Sequence, residues 1–465
     1  MKPRLPALLL ALACAVLGRA GESPRPHILF VMADDMGWGQ TGYRGHPVLK
    51  TPHLDAMAAN GLRFERFYAG GPVCSPTRAT VMTGRSHDRT GAISHGYPLR
   101  LQERTVAQGL KAAGYVTGHF GKWHLTNRQT PGAPRPEAYG IDEWAVFNGG
   151  AGWPAAKVGE SATHAVDFIR RHRDRPFFLN VWLHETHTPH APSPEAMAQW
   201  AHLDAQRRVY AAVVTDGDRA VGRILKALRE AGVDGNTLVL FSSDNGPENT
   251  GATQRPAYTE GDSGVTGYDT YYSVGETGGL RGRKRSLFEG GVRVPFLVRW
   301  PGRAPAGRRD ETTVFTAVDL LPTLCAAAGV TLPADYAGDG ENLLPALLGE
   351  PVARTRPVFW EWRGNATEPD WWPRLAVRDG GWKLLLTADA GRVSLHRLPE
   401  DRAEARDVAA ENPAVVARLS RLALDWRATL PSAPPADCFA PADQVAPPPE
   451  TAKKAPARKG KAGQP

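Results

Sequence analysis

Residues 27–35 read His27-Ile28-Leu29-Phe30-Val31-Met32-Ala33-Asp34-Asp35, an apolar run that ends in two adjacent acids. A run of this kind reads as a strand buried in a sheet, and it is not alone. Tyr115 to Phe120, Pro176 to Leu183, Thr237 to Ser243 and Val294 to Trp300 repeat the pattern. Helical stretches separate them. Thr51-Pro52 supplies an N-cap and a first-turn proline for a helix that stops at Asn60-Gly61. A longer helix is predicted from about Ala205 to Ala231, with Val213, Val221, Ile224, Leu225 and Leu228 on one buried face. This alternation predicts an α/β fold over residues 24–310: a mostly parallel sheet sandwiched by helices. Beyond about Arg303 the pattern changes to a helix near Val318 to Ala328. Short strand-like pieces follow at Val358 to Trp362, Leu375 to Arg378, Lys383 to Leu386 and Ser394 to Arg397, and then an amphipathic helix at Val415 to Thr429. Residues 311–430 therefore read as a smaller C-terminal α+β domain.

The chain has 465 residues, more than the roughly 250–300 that one hydrophobic core organises, which agrees with this division. With 42% hydrophobic and 22% charged residues its body is globular. The net charge of +8 is mostly peripheral. Without residues 1–20 and 432–465 the chain keeps 48 basic and 45 acidic residues, too even a balance for a groove that tracks phosphates, so nucleic acid is not an expected partner. Residues 1–20 read as a signal peptide: Lys2 and Arg4 at the start, Leu5 to Leu17 as the apolar stretch and Gly18-Arg19-Ala20 as the cleavage site. The expected localisation is thus periplasmic or secreted; Leu12-Ala13-Cys14 leaves a lipoprotein anchor as the less favoured alternative. No other stretch approaches the ~20 apolar residues of a membrane span. Residues 431–465, dominated by Pro, Ala and Lys, read as a disordered tail.

Four clusters fall at the carboxyl ends of the expected strands, where α/β proteins gather their functional groups. They are Asp34-Asp35, Gly121-Lys122-Trp123-His124, His184-Glu185-Thr186-His187 and Asp244-Asn245-Gly246. Adjacent carboxylates repel unless a cation or proton intervenes. Asp34, Asp35, Asp244 and Asn245 together suggest an all-oxygen site for a hard ion, calcium or magnesium. Either pair alone reads equally as a helix cap or a turn. His184, His187 and His190 could be zinc ligands, but they lack helical i, i+4 spacing and further Cys or His partners. Export leaves Cys74, Cys325 and Cys438, an odd number in a compartment that favours disulfides. Cys325 sits in an apolar run and Cys438 in the tail; Cys74 has the informative neighbours.

Those neighbours are Cys74-Ser75-Pro76-Thr77-Arg78-Ala79-Thr80, followed by Thr83-Gly84-Arg85. This stretch, with Asp34-Asp35, Gly-Lys-Trp-His and Asp-Asn-Gly-Pro-Glu in order, resembles the type I, formylglycine-dependent sulfatase family over roughly residues 25–430. Within that family the residues resemble its arylsulfatase and N-acetylgalactosamine-6-sulfatase members. The resemblance implies an alkaline-phosphatase-like fold and oxidation of Cys74 to formylglycine by a formylglycine-generating enzyme. It also implies one calcium ion held by Asp34, Asp35, Asp244, Asn245 and the modified Cys74. Arg78, Lys122, His124, His187 and Lys284 would complete the pocket. His187 is chosen over His184 and His190 by the pattern His-x-Thr-His-x-Pro. Lys284 is chosen because it precedes Glu289-Gly290-Gly291-Val292-Arg293 by five residues, although Arg283 and Arg285 flank it.

The implied reaction is hydrolysis of a sulfate ester. Calcium and Arg78 would stabilise one hydroxyl of the hydrated aldehyde for attack on sulfur, and Lys122, His187 and Lys284 would neutralise the sulfuryl oxygens. His187 or Lys284 would protonate the departing alcohol, and His124 would act as the base that restores the aldehyde. Cys74 precedes a helical pattern from Ser75 to Gly84, whose positive end favours an anion. The expected substrates are sulfated polysaccharides or oligosaccharides, or aryl sulfates. Trp153, Trp360, Trp362, Trp371 and Trp372 could stack on sugar rings or pack in the core. Residues Pro247 to Gly279, rich in Gly, Tyr and Thr, read as an insertion beside the pocket. A phosphodiesterase or phosphonate hydrolase of the same superfamily is the alternative activity, and a silent glycan-binding protein the alternative class.

Overall fold

A computed structural model describes residues 25–126, 132–150, 153, 159–249, 273–364 and 372–433. The signal-peptide and tail expectations, Cys438, Trp371 and most of the 247–279 insertion lie outside them. Eight strands form one sheet in the order Glu143–Phe147, Val116–Lys122, Phe177–Trp182, His27–Ala33, Thr237–Ser243, Phe296–Arg299, Leu62–Phe64 and Arg308–Asp310. The first five are parallel, and Phe296–Arg299 runs antiparallel to both its neighbours.

The central strand shows why it must be apolar along its whole length. Alternate side chains leave opposite faces of a strand. Ile28, Phe30 and Met32 enter a core shared with the helices Cys74–Thr83, Val106–Ala112 and Leu320–Ala327. Leu29, Val31 and Ala33 enter a second core, built with Ser161–His172 and Ala205–Glu230. The long helix is capped by Asp204, which accepts from Arg207 N, and it buries all five residues expected on its inner face. At Pro52–Ala59 the expected cap differs. The Thr51 side chain makes no cap bond; its hydroxyl accepts from Gly42 N and donates to Asp55.

The helix Leu320–Ala327 belongs to the core of the large sheet, and the packing of that core continues to Leu347. The second sheet starts only at Val358, an antiparallel meander of Val358–Glu361, Leu375–Asp379, Trp382–Leu386 and Val393–Arg397. One face, with Leu375, Val377, Leu384 and Leu386, packs on the closing helix Pro413–Ala428. The other, with Trp360, Trp362, Ala376 and Leu385, packs on Tyr68, Val73, Phe288 and Val292 of the large unit. Trp360 and Trp362 are therefore core residues, 2% and 1% exposed, and not sugar platforms.

At this junction Lys383 Nζ lies 2.9 Å from Glu289 and 3.1 Å from Glu404, all three fully buried, and the Tyr68 hydroxyl donates to Glu289 at 2.8 Å. Burial, opposed by Lys383, pushes Glu404 up to about 7, while Lys383 and Arg293 draw Glu289 down to about 2. Between the ordinary carboxyl value near 4.5 and about 7 the folded state holds a proton on Glu404 that the unfolded chain has released, so stability falls as pH rises through that window. Urea midpoints measured at pH 5 and pH 7.5 are expected to differ less in Glu404→Gln than in the wild type.

Candidate active site

The parallel strands deliver their last residues to one end of the sheet. Asp34 and Asp35 follow His27–Ala33, Lys122 ends Val116–Lys122, His184 and His187 follow Phe177–Trp182, and Asp244 and Asn245 follow Thr237–Ser243. Cys74 is the first residue of a ten-residue helix that is buried at every position. Two turns hold side chains in place through left-handed backbone at Asp35 (φ 59°) and His124 (φ 52°), a conformation that costs on the order of 1–3 kcal/mol per residue. Gly246 lets a third turn close. Its N–H donates to Gly291 O at 2.9 Å, and a Cβ there would meet Gly290 O at 1.8 Å.

All the carboxylates and cations of the expected site converge, and they are buried. Asp34 accepts from Lys122 Nζ at 2.7 Å and lies 3.4 Å from Arg78. Arg78 Nη2 donates to Asp244 at 2.5 Å. Lys284 Nζ donates to Asp35 at 2.6 Å and lies 3.3 Å from His187 Nε2. Arg285, the neighbour that left the choice of Lys284 open, turns instead to Glu248 at 2.6 Å. Cys74 Sγ sits among them, 3.3 Å from Lys122 Nζ and 3.5 Å from Asp34. Despite that ammonium, burial pushes the Cys74 thiol well above its ordinary value, so unmodified Cys74 is no thiolate nucleophile here.

Charge states follow from burial set against these partners. Asp34 is held well below the usual carboxylate range, because the charges of Lys122 and Arg78 and the hydrogen bond to His184 overcome its desolvation. Asp244 is pushed up to about 7 by burial and the charge of Asp34. Desolvation drives His124 and His187 well below the ordinary imidazole value, with Lys122 adding to it, and takes His184 to about 4. Lys284 is pushed above its ordinary value, as the charge of Asp35 outweighs burial. The pocket thus holds charged amines beside neutral imidazoles.

Two residues enter the site that the motif reading left out. His184 Nδ1 lies 2.6 Å from Asp34 Oδ2, in a bond that orients this carboxylate. Its place directly after a strand was legible, but the family pattern favours the next histidine. His95 meets His124 edge-on at 4.3 Å and is exposed in a recess where burial by its surroundings, with Lys122 and Lys284 nearby, pushes it down to about 3. No motif marks it. His190 does not join the site: it is fully buried, and its ring packs edge-on against Tyr210.

Three carboxylates and one amide oxygen form a donor set for a hard divalent cation. Asn245 Nδ2 donates to Asp35 at 2.7 Å and to Gly246 O at 2.8 Å, leaving its buried Oδ1 with no described partner. An orphaned acceptor beside Asp34, Asp35 and Asp244 fits calcium, which takes oxygen ligands only. A cation held there would have to displace the proton that Asp244 keeps below about 7, so its affinity would fall with falling pH. Calorimetry is expected to show calcium raising the unfolding temperature more at pH 8 than at pH 6, and a chelator reversing the gain.

The family model described as Sulfatase matches residues 26–330, and the model N-sulphoglucosamine sulphohydrolase, C-terminal, matches residues 277–424. N-acetylgalactosamine-6-sulfatase of Canis lupus familiaris is 34% identical over 406 residues, covering 77% of this chain and 72% of that protein. Arylsulfatase A of Bos taurus is 35% identical, covering 76% and 73%. Among solved structures, Ps i-CgsB in complex with k-i-k-neocarrahexaose superposes with a TM-score of 0.72 at 26% identity, covering 86% of this chain and 92% of that one. With a family model matched across the large sheet, and relatives above 30% identity over three quarters of its length, the chain belongs to the sulfatase family of sulfuric ester hydrolases.

Proposed function

We propose that the protein hydrolyses sulfate monoesters of carbohydrates at the Cys74 pocket, with Cys74 oxidised to formylglycine and calcium held by Asp34, Asp35, Asp244 and Asn245. The observation that carries this reading is the convergence of Lys122, Lys284 and Arg78 on Cys74 at a buried helix N-terminus. When present, the hydrated aldehyde supplies the attacking hydroxyl and calcium supplies positive charge beside it.

The chain's own residues do the rest. Lys122 and Lys284 neutralise sulfuryl oxygens in a site with little water to screen them, where a fixed charge acts most strongly. Lys284, held charged, is the proton source on the leaving-group side, and the neutral imidazole of His187, 3.3 Å away, hydrogen-bonds beside it. His124, kept neutral by burial and by Lys122, sets an unprotonated ring nitrogen within 4.8 Å of Cys74 Sγ, the place from which a base would act. Arg78 is tied to Asp244 and to the Lys122 carbonyl and fixes the floor of the pocket. The sulfated-sugar class is supported by N-acetylgalactosamine-6-sulfatase among the relatives and by the k-i-k-neocarrahexaose in the superposed complex. Export of the chain and its encounter with a formylglycine-generating enzyme belong to the same reading.

Protein co-expressed with such an enzyme is expected to yield a tryptic Phe67 to Arg78 peptide that has lost the thiol mass and to release sulfate from sulfated oligosaccharides. Lys284→Ala and His187→Ala should each lower kcat/KM by about 10²–10³-fold. Full oxidation of Cys74 with no sulfate release from any ester, but turnover of phosphonates or phosphodiesters, would overturn the proposal.

A further inference from the structure

We propose that His95 is the specificity residue of this pocket, hydrogen-bonding a sugar hydroxyl next to the sulfate ester. This inference rests on the sulfate-ester reading above and deepens it. The groups that surround the reacting centre are deep: Cys74, Arg78 and Lys122 are 0% exposed, Lys284 4% and His124 6%. A sulfuryl group that reaches them points its bridging oxygen, and the sugar beyond it, back toward the opening. His95 stands there. A ring nitrogen of His95, a ring nitrogen of His124 and Cys74 Sγ lie within 4.8 Å of one another, yet His95 alone of the three is exposed.

The residue is held in place from both sides. The Gly96 N–H donates to Ser75 Oγ at 2.8 Å, beside Cys74, and Ser94 Oγ contacts Gly364 O of the C-terminal unit at 3.4 Å. The ring packs edge-on against His124, and among the described residues neither ring nitrogen has a hydrogen-bond partner. An imidazole anchored on both flanks, with a donor and an acceptor left over, is arranged to read a hydroxyl, which can accept from one nitrogen or donate to the other. It is less suited to hold the sulfate itself, for which the lysines and Arg78 already provide charge.

The test compares wild type, His95→Ala and His95→Gln, all with oxidised Cys74, on N-acetylgalactosamine 6-sulfate, galactose 4-sulfate and 4-nitrophenyl sulfate. Inhibition by inorganic sulfate is measured alongside. His95→Ala is expected to lower kcat/KM on a sugar sulfate about 3–10-fold, chiefly through KM, the effect of one lost neutral hydrogen bond. The aryl ester has no neighbouring hydroxyl, so its kcat/KM and the sulfate inhibition constant should stay within about twofold, and His95→Gln should recover part of the loss. Unchanged melting would exclude a folding defect. An equal loss on sugar and aryl esters would assign His95 to orienting His124 and overturn the proposal, as would no loss on the sugars or a wild type that turns over the aryl ester alone. A wild type that releases no sulfate from any of the three would sink the sulfate-ester reading itself, and this proposal with it.

Discussion

Three carboxylates buried at one end of a sheet are the constraint on which the rest of the site depends. Asp34, Asp35 and Asp244 are fully inaccessible. Burying even one unpaired carboxylate costs several kcal/mol, so three can coexist only where positive charge is built around them. The fold meets this by bringing Arg78 from a helix start, Lys122 from a strand end and Lys284 from a loop more than 200 residues downstream of the first two aspartates. The same ammonium and guanidinium groups are what an anionic ester needs. Here, then, the groups that make the fold tolerable electrostatically are the groups that make it reactive.

The C-terminal sheet contributes to this arrangement from behind. Its Lys383 clasps Glu289, and Glu289 opens the short helix Glu289–Val292 against which Gly246 closes the Asp244-Asn245 turn. Docking of the second sheet is therefore coupled, through one turn of helix, to the loop that carries half of the oxygen donors. Ser94, reaching Gly364, makes a similar link on the opposite side of Cys74.

Much of this was legible beforehand, for reasons that differ by element. The buried parallel strands announce themselves because a strand covered on both faces has no polar positions to spare, as His27–Ala33 shows. The helix at Leu320–Ala327 is legible as a helix, but its periodicity reports which face is apolar and not that the large sheet covers that face. Trp360 and Trp362 illustrate the same limit: an aromatic in a short strand looks alike whether it meets a sugar or a core. His184 was displaced by its neighbour in the motif, although its bond to Asp34 puts it squarely in the pocket.

The sequence by itself determined five strands of the large sheet, the acids and Lys122 at their ends and the signature around Cys74, because these are properties of neighbouring residues, while the short strands Leu62–Phe64, Glu143–Phe147 and Arg308–Asp310 carry no such pattern. Only the tertiary structure decided which of Lys284 and Arg285 enters the cluster, which histidines meet the aspartates and that His95 packs against His124. Those outcomes depend on backbone direction at single loop positions and on contacts between segments far apart in the chain. The positive φ at Arg285 goes with a loop in which Lys284 faces the charge cluster and Arg285 turns to Glu248, while the positive φ at Asp35 accompanies a turn that keeps both Asp34 and Asp35 in the cluster. No spacing rule encodes that choice, because it is set by the burial of charge against charge once the sheet has closed.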